Sequence, residues 1–496
     1  MSFPNDEQKK VIFHRGKPLA VIAGPGTGKT RTLVERMIVL LTENSSREIS
    51  FITFTRTSRR DTWCKLEKAL GKANLDASGV NFPRTSTLHK YAKTVVHRCA
   101  ALIGRQASFS ILVENKGERS LILQELISDL KIPTDEDSLS KAISHFRCKG
   151  NWPENFHHNG KQVIEYFETL LNFYGTFDME GLVMAACEIL VSSPNSIPPL
   201  FLQVDEYQDL NPTDQKFIDL VASHPQSQVV VVGDDAQSIY KFRHANYEGL
   251  HAIWNSPLWE KVSFSDCHRL PAHILNAAQA LIAGKGYLGA RVNPKPDEGK
   301  RILILQCTSS NLQVRSIAQR ILQLMANGKK PDGTALCFSD FLVLCPANFI
   351  KIVVEGLQEV GIPAQGPSSN VIPDKLWRLL LILRILHSDD NLAFRQCLSF
   401  VGISFEEISR IRCEAMKSKV PLYVFCAGID DSRIQPIYRA LDYLRGSISD
   451  TEKFELALAE FPYLNIGAET VQSINSLFDV SNITAQSSKN LLKLSP

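Results

Sequence analysis

The sequence predicts an α/β fold in which parallel strands alternate with helices, interrupted by helical insertions. Three observations carry that prediction. Short apolar, β-branched runs occupy residues 19–23, 49–54, 200–204 and 228–232, and each leads through a turn-rich stretch into a helical pattern. A glycine-rich loop follows the first run directly. Between Tyr91 and Pro198 the pattern becomes helical, without strand-like runs, as in ERSLILQELISDL, VIEYFETLLNFY and EGLVMAACEIL.

The first run, LAVIA, ends in Gly24-Pro25-Gly26-Thr27-Gly28-Lys29-Thr30 and passes into the helix-like RTLVERMIVLL. This arrangement suits a triphosphate. The glycines let backbone N–H groups curl round a β-phosphate, Lys29 neutralises β/γ charge, and the Thr30 hydroxyl is placed to ligate Mg²⁺. The third run, LFLQV, ends in Asp205-Glu206-Tyr207-Gln208-Asp209. An Asp at a strand end can hold the same Mg²⁺, and the adjacent Glu can polarise an attacking water. The fourth run leads into Gly233-Asp234-Asp235-Ala236-Gln237-Ser238-Ile239-Tyr240-Lys241-Phe242-Arg243, a polar, aromatic and basic cluster at a strand end.

GPGTGKT, VDEYQDLN and VGDDAQSIYKFRHA, in that order and spacing, resemble motifs I, II and III of the UvrD/Rep-type superfamily 1 helicases. The resemblance implies P-loop, RecA-like motor domains, ATP and Mg²⁺ as ligands, and DNA as substrate. It makes Lys29, Asp205, Glu206, Gln237 and Arg269 the expected catalytic residues, with Thr30 and Asp205 on the metal. FPNDEQ, residues 3–8, looks like the family's Q motif, in which Gln8 would read the adenine edge, and Arg31 would lie beside the base. ITFTRTSRR is similar to motif Ia. It places Phe54, Thr55 and Arg56 on DNA, with Phe54 a candidate to wedge or stack a base, although Arg56-Thr57 stands where the family has Asn-Lys. TSTLHKYA resembles the next DNA-contacting segment, with Thr87 and His89 near the backbone. Tyr240 and Phe242 would form a stacking platform, and Arg243 would sit near the γ-phosphate or DNA. Base–aromatic stacking tolerates any sequence, as a translocating motor requires. DCHRLPAHIL resembles motif IV, with Arg269 an arginine finger and His268 in the place of the family's adenine-stacking Tyr.

The same resemblance divides the chain. Residues 1–95 and 196–280 would form the first motor domain and 96–195 its helical insertion. Residues 281–370 and 476–496 would belong to a second motor domain, with strands at 301–306 and 341–345, and 371–475 to a second insertion. The nearest candidate for motif V is residues 484–492, where Gln486, Asn490 and Leu492 replace the family's His, Gly and Glu. No motif VI follows it, and IYRALDYLRG near Tyr438 reads as an amphipathic helix. Two functions are therefore expected. One is an ATP-dependent translocase or helicase acting 3′ to 5′ on single-stranded or tailed duplex DNA. The other is a DNA-gated ATPase or nucleotide switch within a larger assembly, with a nuclease subunit as in bacterial antiphage defence. RNA stays open as a substrate, since a stacking platform does not read the 2′-OH.

Composition bounds these readings. The chain has 496 residues, 44% hydrophobic and 22% charged, which is the balance of a globular protein large enough for several cores. A net charge of only +3 means that a DNA site must be a local groove rather than a global basic field. Eleven cysteines stand singly, without a C-x-x-C pair, which argues against a disulfide framework or a zinc ribbon. The polar N-terminus and the lack of a long apolar run point to the cytoplasm and away from a membrane.

Overall fold

The structure, a computed structural model, describes residues 4–43, 48–73, 84–113, 117–288, 292–295, 302–330, 333–367 and 374–447. The chain divides into two compact units, residues 1–297 with 373–496, and residues 298–372. The strands among the described residues are β1 (Leu19–Ala23), β2 (Glu48–Thr53), β3 (Arg84–Thr87), β4 (Ser110–Ile111), β5 (Thr176–Phe177), β6 (Leu200–Val204), β7 (Gln228–Gly233), β8 (Glu260–Phe264), β9 (Asp266–Pro271) and β10 (Asn293–Lys295).

Six of these form one parallel sheet in the first unit, in the order β3-β2-β6-β7-β1-β8. The side-chain period of two splits each strand between two cores. Val229 and Val231 join Leu200, Leu202, Val204, Ala20 and Ile22 on one face. Val230 and Val232 join Leu19, Val21, Ala23, Ile49, Phe51 and Phe201 on the other. Burial on both faces explains why these runs are almost continuously apolar. Each fully buried aliphatic side chain contributes about 1.5–3 kcal/mol, so the sheet is a stiff support for the loops at its C-terminal edge. The sheet also includes β3 and β8, which the sequence pattern does not announce. RTST is polar, and EKVSF is largely exposed at the sheet edge. An edge strand needs only one hydrogen-bonded neighbour, here β2 and β1 respectively.

The insertion between β3 and β6 is helical as expected, with helices Glu118–Leu130, Glu136–Lys149, Gly160–Phe173 and Met179–Ser192. It differs from expectation in one short parallel pair, β4 with β5. The helices of residues 374–447 belong to the same unit. They meet the insertion through buried charge. Glu118 takes Arg384 at 2.7 Å and the Gln396 amide at 2.9 Å. Glu125 takes Arg395 at 3.0 Å, Arg412 at 3.2 Å and the Tyr174 hydroxyl at 2.8 Å. Arg412 also reaches Asp129 at 2.6 Å. The segment around Tyr438 is the helix Gln435–Ser447, amphipathic as read, with Ile437, Leu441 and Leu444 buried.

The second unit packs the helices Ser310–Asn327 and Ile350–Gln358 around Val314, Ala318, Ile321, Val353, Leu357 and Ile362. The strands expected at 301–306 and 341–345 do not form among the described residues. Ile304, Leu342 and Leu344 are more than 80% exposed there. A strand exists only where a neighbour accepts its hydrogen bonds, and an apolar run alone does not supply one. The motif V candidate and the rest of 476–496 lie outside the described residues. No helix among the described residues is long and apolar enough to cross a membrane, and the eleven cysteines are unpaired.

Candidate functional site at the sheet edge

The glycine-rich loop leaves β1 between β7 and β8, where the chain reverses direction across the sheet. Gly26 and Gly28 have φ of 74° and 91°, the left-handed region in which a side chain strains the backbone. Space is short as well. A Cβ on Gly26 would lie 2.7 Å from the Cys267 sulfur and 3.0 Å from the Arg269 Cβ. Thr27 is buried and its hydroxyl donates to the Gly24 carbonyl at 2.9 Å, which closes the turn. Pro25 is half-buried beside it. The helix Lys29–Thr42 then starts with no side-chain cap, so its first N–H groups stay open towards the loop.

Gln8 is buried against the loop. Its amide accepts from the Asn5 N–H at 2.9 Å and donates to the Thr27 carbonyl at 3.0 Å. It thereby fixes the helix Asp6–Ile12 against the loop. Arg31 is exposed one residue beyond Thr30.

Lys29, Thr30, Asp205 and Glu206 converge. The Thr30 hydroxyl donates to Asp205 Oδ2 at 2.7 Å. The Lys29 ammonium is buried without a hydrogen-bond partner and lies 3.5 Å from Glu206 Oε2. A buried ammonium lacking an acceptor is costly unless a ligand supplies one. Glu206 has φ 55°, rare for a residue with a side chain, which turns its carboxylate from the strand end towards Lys29. Burial, with Glu206 alongside and against Lys29 and the Thr30 bond, pushes Asp205 up to about 6. Burial and Glu206 push Asp209 up to about 7. These groups fit a polyphosphate with a divalent cation. The cation would neutralise the carboxylates, and the phosphates would complete Lys29.

Gln208 was not among the residues expected to act, and it joins two motifs. Its Nε2 donates to Glu206 at 2.9 Å while its Oε1 accepts the Asp234 N–H at 3.0 Å. Gln237 donates in turn to the Asp234 carboxylate. The signal was its place in YQD beside the carboxylate pair, but its partner lies 26 residues away. His268 and Arg269 are exposed on β9, which docks on the loop through the His268 N–H to the Gly26 carbonyl at 2.8 Å.

A second cluster lies at the ends of β2 and β7. Phe54 and Tyr240 stand 5.0 Å apart by ring centroids, Tyr240 and Phe242 6.0 Å, and the Arg243 guanidinium lies 5.5 Å over Phe54. Phe242 is 78% exposed. An exposed aromatic row with a cation on it suits unstacked bases. Thr55 and Thr87 serve as caps. Thr55 Oγ1 accepts the Ser58 N–H at 3.0 Å, and Thr87 Oγ1 accepts the Lys90 N–H at 3.4 Å. The Arg56 side chain lies outside the described residues, although its backbone opens the helix Arg56–Ala73. His89 falls below its ordinary pKa through burial, with Asp214 opposing and Arg243 adding.

The family model described as UvrD/REP helicase N-terminal domain matches residues 4–256. The chain belongs to this helicase family. Its relatives include the ATP-dependent DNA helicase Rep of Buchnera aphidicola subsp. Baizongia pistaciae, 24% identical over 462 residues, 88% of this chain and 66% of that protein. The ATP-dependent DNA helicase PcrA of Leuconostoc citreum is 26% identical over 82% of this chain and 56% of its own length. PcrA of Staphylococcus epidermidis is 23% identical over 86% and 60%. The chain thus spans about 56–66% of the UvrD/Rep-type relatives it matches. The six-stranded parallel sheet carrying a phosphate-type loop agrees with this membership.

Proposed function

We propose that the chain is an ATP-dependent DNA translocase or helicase of the UvrD type, moving 3′ to 5′ along one strand. The observation that carries this reading is the buried, acceptor-less Lys29 ammonium beside the Thr30–Asp205 pair. That charge is arranged for a group the polypeptide itself does not provide. In this reading the loop N–H groups and Lys29 bind the β- and γ-phosphates of ATP. Thr30 and Asp205 hold Mg²⁺, which when bound neutralises phosphate charge. Glu206 orients a water for in-line attack on the γ-phosphorus and takes its proton as ADP leaves. Arg269, beside Gly26, stabilises the equatorial oxygens. His268 and Arg31 flank the base, with Gln8 behind the loop. Gln237 senses the γ-phosphate, and the chain Glu206–Gln208–Asp234–Gln237 carries its state to Tyr240, Phe242 and Arg243. Phe54, Thr55, Arg56, Thr87 and His89 complete the strand path, and the setting is the cytoplasm.

Steady-state ATP hydrolysis with and without single-stranded DNA tests this, with Glu206→Gln as the blank. Strong stimulation by DNA, absent in the variant, is expected. Tight ATP binding without hydrolysis under either condition would reject a motor working by itself. A 3′-tailed duplex should then be opened faster than a 5′-tailed one.

A second reading, a DNA-gated switch completed by a partner such as a nuclease subunit, draws on one observation. Residues 302–305, with Leu342 and Leu344, lie exposed in the second unit without strand neighbours among the described residues. Full activity of the isolated, monodisperse chain would remove it.

A further inference from the structure

A cavity of about 810 Å³ lies in the first unit, away from the phosphate loop. One wall is Arg59, Thr87, His89, Lys90 and Lys93, and the other comes from the insertion at Phe109 and from residues 377–391. Its free charge is positive. Asp389 and Asp390 line it, but Asp389 is taken by Arg445 at 2.5 Å and Asp390 by Arg384 at 3.0 Å. Arg59 and Lys93 have no carboxylate partner among the described residues. Among the described residues the Lys93 ammonium has the Phe109 ring, 5.8 Å to its centroid, and burial holds it below its ordinary pKa. Two cations facing a half-open cavity without counter-charge suit an anionic ligand.

The size and position of the cavity narrow the class. It falls in the range that holds a small ligand or a short run of chain, and a duplex does not fit. It also neighbours the aromatic row through His89. His89 lines the cavity and lies within electrostatic reach of Arg243, whose guanidinium covers Phe54. We infer that this cavity receives the single strand where it passes off the Phe54–Tyr240–Phe242 row, with Lys93 and Arg59 each pairing one phosphate. The inference rests on the DNA-motor reading and adds a strand-holding site walled by residues 377–391.

The test uses the full chain and oligothymidylate binding followed by fluorescence anisotropy across a salt series. Each phosphate contact on a single strand contributes about 0.7 to the slope of log affinity against log salt. The double variant Arg59→Gln, Lys93→Gln should therefore show a slope shallower by about 1.4. Its nucleotide affinity and melting temperature should match the parent, and Lys93→Arg with Arg59 intact should keep the full slope. Photo-crosslinking from thiothymidine in the strand should label residues of both cavity walls. An unchanged slope in the double variant, with the parent binding normally, overturns the cavity and leaves the motor reading standing. Displacement of the strand by free thymidine monophosphate at low concentration also overturns it and assigns the cavity to a mononucleotide. Failure of the parent to bind any strand removes the motor reading and this inference together.

Discussion

The first unit buries charge in two places, on opposite terms. At the sheet edge Lys29 lies 3.5 Å from Glu206, has no hydrogen-bond acceptor, and faces carboxylates that burial pushes towards their neutral forms. Between the insertion and residues 374–447, Glu118, Glu125, Asp129 and Asp390 are met by Arg384, Arg395 and Arg412, with the Tyr174 hydroxyl on Glu125 and the Tyr166 hydroxyl on Asp129. Glu125 and Arg412 are fully buried. The second arrangement is closed, because its charges answer one another. The first is open, and something from outside must answer it. Buried charge by itself therefore does not mark a binding site. What marks it is charge left unanswered on a stiff support.

That contrast breaks most visibly at Arg412. Arg412→Met leaves Glu125 and Asp129 without their shared guanidinium inside the protein. Removing one partner of a buried pair costs about 3–5 kcal/mol, since the remaining charge stays desolvated. A clear fall in the denaturation midpoint is expected, with ATP affinity of the surviving folded protein unchanged. Equal stability of parent and variant would show that solvent or a neighbour satisfies the carboxylates.

Lys29→Met should do the reverse. Losing a phosphate-stabilising cation should lower DNA-stimulated hydrolysis on the order of 10²–10³-fold. The nucleotide-free protein should lose less stability than in Arg412→Met, because the raised Asp205 and Asp209 can take up protons when the lysine goes. A variant that lost several kcal/mol of stability would place Lys29 in the architecture rather than in the site.

The two regions also differ in how far the sequence exposes them. The loop residues Gly24 to Thr30 are contiguous, and the buried strands β1 and β6 are apolar but for Gln203, so local pattern suffices to find them. The edge strands β3 and β8 are hidden because their residues answer to a single neighbour and to solvent. Segments 302–306 and 341–345 show the converse, since apolar residues with strand character still need a pairing partner. Thr55 and Thr87 cap helices, a duty that their positions before 56–73 and 88–99 already allowed. Gln208 and the Glu125–Arg412 pair were beyond reach because their partners are distant in the chain, up to 287 residues for the latter (412 minus 125). Neither residue type nor spacing announces such a pair.

The smallest effect sharpens the open side of the comparison. Burial, then Glu206, holds Asp209 at about 7, well above its unfolded value near 3.8. Its Oδ1 has no hydrogen-bond partner. A raised acid contributes stability that is full below about 4 and is lost as pH rises through about 7, because the folded state then carries a charge it holds poorly. Asp209→Asn keeps the shape without the charge. In nucleotide-free protein the variant should gain roughly 2 kcal/mol over the parent at pH 8, discounted for screening and neighbouring charges, and little at pH 4. Thermal melts across that range read the difference directly. A gap that does not change with pH would mean that Asp209 is ionised throughout, held by Lys29. The sheet edge would then be as closed as the network it is contrasted with.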